Sequence, residues 1–212
     1  MKLYGYWRSS AAYRVRIALN LKGISCEQES VHLVKDGGEQ HKHDYVDLNP
    51  NELVPTLVDG ELKLNQSMAI LEYLEAKFTD TPLLPTDLEP QVRCRALALD
   101  IACDTHPLNN LRILQYLSGT LSVTDEEKMA WYHHWIHVGF SAFEKSLKTT
   151  AGKYCFGDTV TWADICLVPQ VYNAERFGVD LSAYPILMEV CERCRSLPAF
   201  IDALPENQPD AT

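Results

Sequence analysis

The 212-residue sequence contains no apolar run approaching the ~18–20 residues needed to cross a bilayer, which excludes an α-helical membrane protein. Its opening stretch, MKLYGYWRSS, lacks the long apolar segment of a secretory signal, so a cytoplasmic location is expected. Basic residues are in deficit. Nineteen Lys and Arg against 29 Asp and Glu leave a net charge of −10, without the basic footprint that nucleic acid or an anionic membrane surface requires. A small acidic ligand stays possible, because a few arginines suffice to hold one. Paired-cysteine and metal-site patterns are also missing. Cysteines stand at 26, 94, 103, 155, 166, 191 and 194, an odd set that reads as reduced and mostly buried thiols. Cys191-Glu-Arg-Cys194 matches C-x-x-C without a second pair, and His133, His134 and His137 have no partner at metal-site spacing, so no metal is expected.

What is present is a globular composition, 46% hydrophobic and 23% charged, at a length suited to one or two domains. The first eighty residues alternate strand and helix signals. Lys2–Trp7 reads as a strand, and Tyr13–Lys22 as a helix closed by Gly23. Glu27–Leu33 reads as a second, parallel strand. Thr56–Val58 and Leu62–Asn65 flank Asp59-Gly60, a hairpin signal, and Met68–Phe78 is again helical. Residues 81–90, rich in Pro, Thr and Asp, read as a linker. Beyond it, residues 91–212 are helical nearly throughout, with segments near 91–118, 125–147, 161–177, 184–195 and 198–204. The expected organisation is an α/β domain over 1–80 and an all-α domain over 91–212.

Chemistry-bearing motifs fall where strands meet helices. Trp7-Arg8-Ser9-Ser10 leads into the first helix, whose N-terminal amides and positive dipole end stabilise an anion. Ser9 or Ser10 can donate to a thiolate held there, or simply cap the helix. Pro55 in Leu53-Val54-Pro55-Thr56 is a cis or a trans turn proline. Gln66-Ser67 opens the Met68–Phe78 helix, as a plain cap or as a carboxylate holder. Thr161-Trp-Ala-Asp164 reads as a capping box with Val160 and Ile165 as its hydrophobic staple, a folding feature. In Cys103-Asp104-Thr105-His106-Pro107-Leu108-Asn109-Asn110-Leu111-Arg112, His106 and Asn110 are four apart, the spacing of one helix face. Arg8, Arg112 and Arg176 are the candidates for gripping a carboxylate with a guanidinium fork.

The segments R8-S-S-A-A-Y-R-V-R-I-A18, L53-V-P-T56, N65-Q-S-M-A-I70 and F156-G-D-T-V-T-W-A-D164 resemble the zeta class of glutathione transferases over the whole chain. Within that class the sequence is similar to maleylacetoacetate isomerases and to bacterial maleylpyruvate isomerases. The resemblance implies a thioredoxin-like domain joined to a helical domain, in a homodimer that binds reduced glutathione. It implies that Ser9 and Ser10 face the sulfur, that Val54 pairs with the cysteinyl backbone, and that Gln66 with Ser67 holds the γ-glutamyl end. It also implies that the His106–Asn110 face closes over glutathione and substrate. Ala11 departs from the family's Ser-Ser-Cys pattern, so any thiol chemistry here comes from glutathione rather than from a cysteine at that helix end.

The reaction so implied is cis–trans isomerisation of a maleyl to a fumaryl group, with a dicarboxylic diketo acid as substrate and glutathione regenerated each cycle. Maleylacetoacetate, from phenylalanine and tyrosine breakdown, is the expected substrate, with maleylpyruvate the nearest rival. Broader rivals are a transferase acting on small α-halo acids and a non-catalytic interaction module on the same fold.

Overall fold

The computed structural model describes residues 1–212 and divides by internal contacts into two units, Met1–Leu83 with Ser196–Thr212, and Leu84–Arg195. The last segment, counted from sequence with the helical domain, therefore belongs to the first unit.

In the first unit β1 (Lys2–Gly5) lies at the centre of a four-stranded sheet of order β2-β1-β3-β4. It pairs in parallel with β2 (Glu27–Ser30) and antiparallel with β3 (Thr56–Asp59), which pairs antiparallel with β4 (Leu62–Asn65). The parallel pair needs a crossover, and α1 (Ser10–Leu21) supplies it. Along α1 the apolar Val15, Ile17, Ala18 and Leu19 are buried, joining Leu3, Leu57, Ile70 and Leu74 in one core. Gly5 matters to this packing, because a Cβ there would lie 3.3 Å from that of Ala12. The helix ends as its sequence indicates: Gly23 adopts φ +66°, and the Ile24 amide reaches back to the Leu19 carbonyl at 2.9 Å.

The Asp59-Gly60 signal marks a two-residue hairpin loop, with Asp59 paired to Leu62 and Gly60 at φ +59°. A short helix, α2 (His43–Val46), precedes β3, and α3 (Ser67–Lys77) follows β4. Lys22 draws the start of the linker onto this unit. Its buried ammonium pairs with Glu75 at 2.8 Å and donates to the carbonyls of Phe78 and Thr81. The C-terminal helix α9 (Pro198–Ile201) packs against α1, where Asn20 donates to the Ala199 carbonyl at 2.9 Å.

The second unit contains α4 (Leu88–Leu99), α5 (Leu111–Gly119), α6 (Asp125–Thr150), α7 (Trp162–Arg176) and α8 (Pro185–Arg195). Its centre is α7, buried along nearly its whole length and contacting both α4 and α8. A helix buried on all sides needs its ends satisfied internally. Asp164, fully buried, does this by accepting from the Thr161 amide (2.8 Å), the Thr161 hydroxyl (3.0 Å) and the Cys155 amide (2.8 Å). The Thr161–Asp164 capping box thus serves folding.

The helix expected near 91–118 is broken. After α4 the chain widens into a π-helical stretch at Asp100–Thr105, tightens into a 3-10 turn at His106–Asn109, and is extended at Asn110 before α5. Pro107 has no amide to continue the ladder, and Asn110 is diverted to capping α5.

Candidate functional site

Strand register gathers the first unit's candidates at one end of the sheet. Tyr4, near the end of β1, pairs with Thr56 at the start of β3, and Thr56 pairs with Asn65 at the end of β4. The chain beyond these positions is Trp7–Ser10 after β1, Val54-Pro55 before β3, and Gln66-Ser67 after β4. Three motifs far apart in sequence therefore leave the sheet at the same edge.

At the first, Ser9 is the N-cap of α1, with its Oγ accepting from the Ala12 amide at 3.2 Å. Capping uses a lone pair and leaves the O–H proton to donate elsewhere, so the cap and the thiolate-donor readings of Ser9 are compatible. Ser10 opens the helix and is buried. The first turn carries no carboxylate, whereas that of α6 carries three. In a chain of net charge −10 this spares the positive helix end for an external anion. Arg8 is exposed, with its guanidinium carbon 3.9 Å from the centroid of the Trp7 ring.

At the second motif the Val54–Pro55 peptide is cis, and Val54 is half-buried. A buried polar cluster that the sequence reading missed brackets it. Tyr45 and Asn49 both donate to the Leu53 carbonyl, at 2.6 and 2.8 Å. Both also bond the Thr56 hydroxyl, at 3.0 Å each. The Val54-Pro55 turn is thus fixed on its two flanks from α2 and the residues just after it.

At the third, Gln66 is exposed and held at φ +66°, unusual for a residue with a side chain, and its side chain does not cap α3. Ser67 is buried, and its Oγ accepts from Nη1 of Arg14 at 3.3 Å. As with Ser9, its O–H remains a donor. Arg14, 1% exposed, places a positive charge beside the N-terminus of α3, where the first turn again lacks acid. A cation, a hydroxyl and a helix end together suit a carboxylate. The sequence held a signal for Arg14. It and Arg16 sit inside the apolar stripe of α1, where a charged side chain has to serve a partner.

In the second unit the candidates sit around the irregular 100–110 segment and the end of α7. His106, half-buried, starts the 3-10 turn. Asn110 is extended, with Oδ1 accepting from the Arg112 amide at 3.3 Å. The two do not share a helix face, because the helix that would place them on one is interrupted at Pro107 and Asn110. Arg112 lies exposed in the first turn of α5. Arg176 is the last residue of α7, exposed, with its guanidinium 4.6 Å from the centroid of the Phe177 ring. None of the carboxylates that pair with Arg93, Arg193 or Arg195 engages Arg112 or Arg176.

Four of the thiols and two of the imidazoles that the sequence singles out are engaged in the packing of the second unit. Cys155, Cys166, Cys191 and Cys194 are buried. Burial pushes the Cys191 thiol up to about 12, and it also raises Cys155 and Cys194, so the C-x-x-C pair holds no thiolate. His133 bonds the Phe177 carbonyl at 2.9 Å, and His137 bonds the Tyr184 hydroxyl at 2.8 Å.

Comparison with known proteins identifies the family. The glutathione S-transferase N-terminal domain family matches residues 1–76, and the glutathione S-transferase C-terminal domain family matches residues 135–198. A probable maleylacetoacetate isomerase of Vibrio cholerae is 58% identical over 209 residues, covering 99% of this chain and 97% of that protein. A holo structure of maleylpyruvate isomerase, described as a bacterial zeta-class glutathione S-transferase, superposes with a TM-score of 0.96 at 47% identity over 100% of both chains. A maleylacetoacetate isomerase of Methylobacterium extorquens, solved with malonate and glutathione bound, gives 0.95 at 41% identity, again over 100% of both chains. The chain belongs to the zeta class of glutathione transferases, the family of the maleylacetoacetate and maleylpyruvate isomerases.

Proposed function

We propose that the protein catalyses the glutathione-dependent cis–trans isomerisation of maleylacetoacetate to fumarylacetoacetate in phenylalanine and tyrosine breakdown. The observation that carries this reading is the 58% identity, over nearly the full length of both chains, to a probable maleylacetoacetate isomerase. The first unit fits glutathione by its own donor set. It offers a thiolate site at Ser9 and the α1 N-terminus, and a carboxylate site at Ser67, Arg14 and the α3 N-terminus.

Glutathione, when bound, supplies the sulfur nucleophile whose reversible addition lets the cis double bond turn to trans. The protein's part is to keep that sulfur ionised and to hold the substrate. A free thiol of pKa ~8.5 is only a few per cent thiolate at neutral pH. The Ser9 hydroxyl and the α1 amides lower that cost by donating to the anion, with Ser10 beside them. The Val54 backbone aligns the peptide part of the cofactor, and Gln66 with Ser67 receives its γ-glutamyl end. Arg8, Arg112 and Arg176 grip the carboxylates of the diketo acid. Catalysis then rests on orientation and on fixed donors.

The protein acts as a cytoplasmic homodimer. Leu88, Val92 and Leu99, spaced along one side of α4 and 75%, 47% and 38% exposed, form an apolar stripe suited to a second copy. Maleylpyruvate is the second reading, favoured by the 0.96 superposition on a maleylpyruvate isomerase. The deciding experiment follows the ultraviolet absorbance of each acid with purified protein, with and without glutathione. Turnover of maleylacetoacetate that requires glutathione is expected. Faster turnover of maleylpyruvate would exchange the two readings, and turnover independent of glutathione would overturn both. Failure on both acids with activity toward α-halo acids would leave a zeta-type transferase.

A further inference from the structure

The C-terminal tail returns to the loop that carries Arg8 and Ser9. Oδ2 of Asp210 accepts from the backbone amide of Trp7 at 3.1 Å and from the Ser30 hydroxyl at 2.9 Å. On the other side of Trp7, its carbonyl accepts from Nη2 of Arg16 at 3.0 Å, while Nε of the same buried guanidinium donates to the Ala203 carbonyl at 3.2 Å. The tail is therefore tied to the N-terminal loop at two points, Ala203 and Asp210, and Trp7 is gripped through both of its backbone polar groups. Between these points the tail fastens itself. Asn207 donates to the Ile201 carbonyl at 2.7 Å, and Gln208 donates to the Asp202 and Leu204 carbonyls at 2.9 and 2.7 Å.

Trp7 lies in the turn closed by the Ser9 amide on the Tyr6 carbonyl at 2.9 Å. Fixing its amide and carbonyl fixes the peptide planes on either side, and these set the directions of Arg8 and Ser9. We infer that Asp210 is a positioning residue, and that the tail acts as a strap holding the Trp7–Ser9 turn in the geometry that presents Ser9 to a thiolate and Arg8 to a substrate carboxylate. An acceptor from any element would satisfy the Trp7 amide. A carboxylate forms stronger bonds than a neutral acceptor, and here one oxygen joins the turn to the end of β2 as well. Misplacing a reacting group by about 1 Å can cost a factor of about 10², so a pin of this kind reads out in kcat.

The consequence for catalysis rests on the isomerase reading, whereas the pin itself does not, and two measurements keep them apart. The first is amide hydrogen exchange of Trp7 by nuclear magnetic resonance in the unliganded protein. Asp210→Ala is expected to speed exchange at Trp7 by at least about tenfold while core amides such as Leu57 keep their protection. Asp210→Asn, which retains an acceptor oxygen, is expected to restore most of the protection. The second is steady-state kinetics. Asp210→Ala is expected to lower kcat about tenfold or more with a smaller change in the KM for glutathione, and Asp210→Asn to recover most of that loss.

Unchanged Trp7 exchange in Asp210→Ala would overturn the pin. Faster exchange with kcat within twofold of the unmodified enzyme would overturn its role in positioning. An unmodified protein that isomerises neither acid would overturn the isomerase reading instead, leaving the exchange result to decide the pin.

Discussion

The sheet end of the first unit and the 100–110 segment of the second differ in how their candidate residues are held. At the sheet end, the pairing of Tyr4 with Thr56 and of Thr56 with Asn65 brings three separate motifs to one edge. Each is then fixed by polar partners, all buried except the half-buried Asp210: Arg16 and Asp210 for the turn before Ser9, Tyr45 and Asn49 for Val54-Pro55, Arg14 for Ser67. In the helical unit, His106 and Asn110 lie on irregular backbone held by bonds from within the segment and from α6. Thr105 donates to the Asp100 carbonyl (2.9 Å), Asn109 to the Thr105 carbonyl (3.2 Å), and the Trp131 indole to the Leu108 carbonyl (2.8 Å). Long-range register organises the first region, whereas the second is shaped by local detours of a single segment. The cofactor is expected to bind to the former, and substrate discrimination to reside in the latter.

The largest effect that tests this contrast is at Ser9. Ser9→Ala removes the hydroxyl offered to the thiolate and is expected to lower kcat/KM by about two orders of magnitude, the size seen when one fixed donor to a developing anion is lost. Ser10→Ala is expected to lose less, because Ser10 is already buried in the first helical turn. Loss of the α1 cap costs about 1 kcal/mol of stability in its own right. Ser9→Gly, which removes the hydroxyl but costs only a few tenths of a kcal/mol as an N-cap, separates the two effects. Equal, small losses at both serines would assign the thiolate to the helix amides alone.

Next in size is Arg14. Removing the cation under α3 by Arg14→Met is expected to raise the KM for glutathione about tenfold with little change in kcat, the equivalent of one charge-assisted hydrogen bond. Combining it with Ser67→Ala should give less than the product of the two single effects, because the residues act on one carboxylate through one bond. A fall in kcat with an unchanged KM would move Arg14 from cofactor binding to the chemistry and would break the division proposed here.

How much of this was legible before the structure follows the same contrast. The order β-α-β-β-α, the Asp59-Gly60 hairpin, the Gly23 helix end and the Thr161–Asp164 box were readable because each depends on neighbours a few residues apart. The motifs at Ser9, Val54 and Gln66 were readable as positions, but alone each allowed a structural reading as well as a functional one. Their convergence needed the strand register, a property of pairs some fifty residues apart. Arg14 and Arg16 carried a signal as charges inside an apolar stripe, but their partners stayed hidden for the same reason, as did the roles of Asn49 and Asp210, since local sequence does not name a long-range partner. The unbroken helix expected near 91–118 failed at Pro107, where the missing amide outweighed an otherwise helical apolar pattern.

Trp131 gives the smallest effect and the sharpest test of the 100–110 segment. Its indole is the anchor that α6 provides for the turn between His106 and Asn110, through the Leu108 carbonyl. Trp131→Phe keeps the ring and most of its packing but removes the donor. The cost in stability is expected to be about 1 kcal/mol, that of one hydrogen bond, read as a lowered urea midpoint with an unchanged m-value. If the segment shapes the substrate side, the ratio of kcat/KM for maleylacetoacetate to that for maleylpyruvate should change by a few-fold while the KM for glutathione barely moves. The opposite pattern, a raised KM for glutathione with the ratio intact, would mean that His106 and Asn110 hold cofactor as firmly as the sheet end does. The division of labour between the two regions would then be lost.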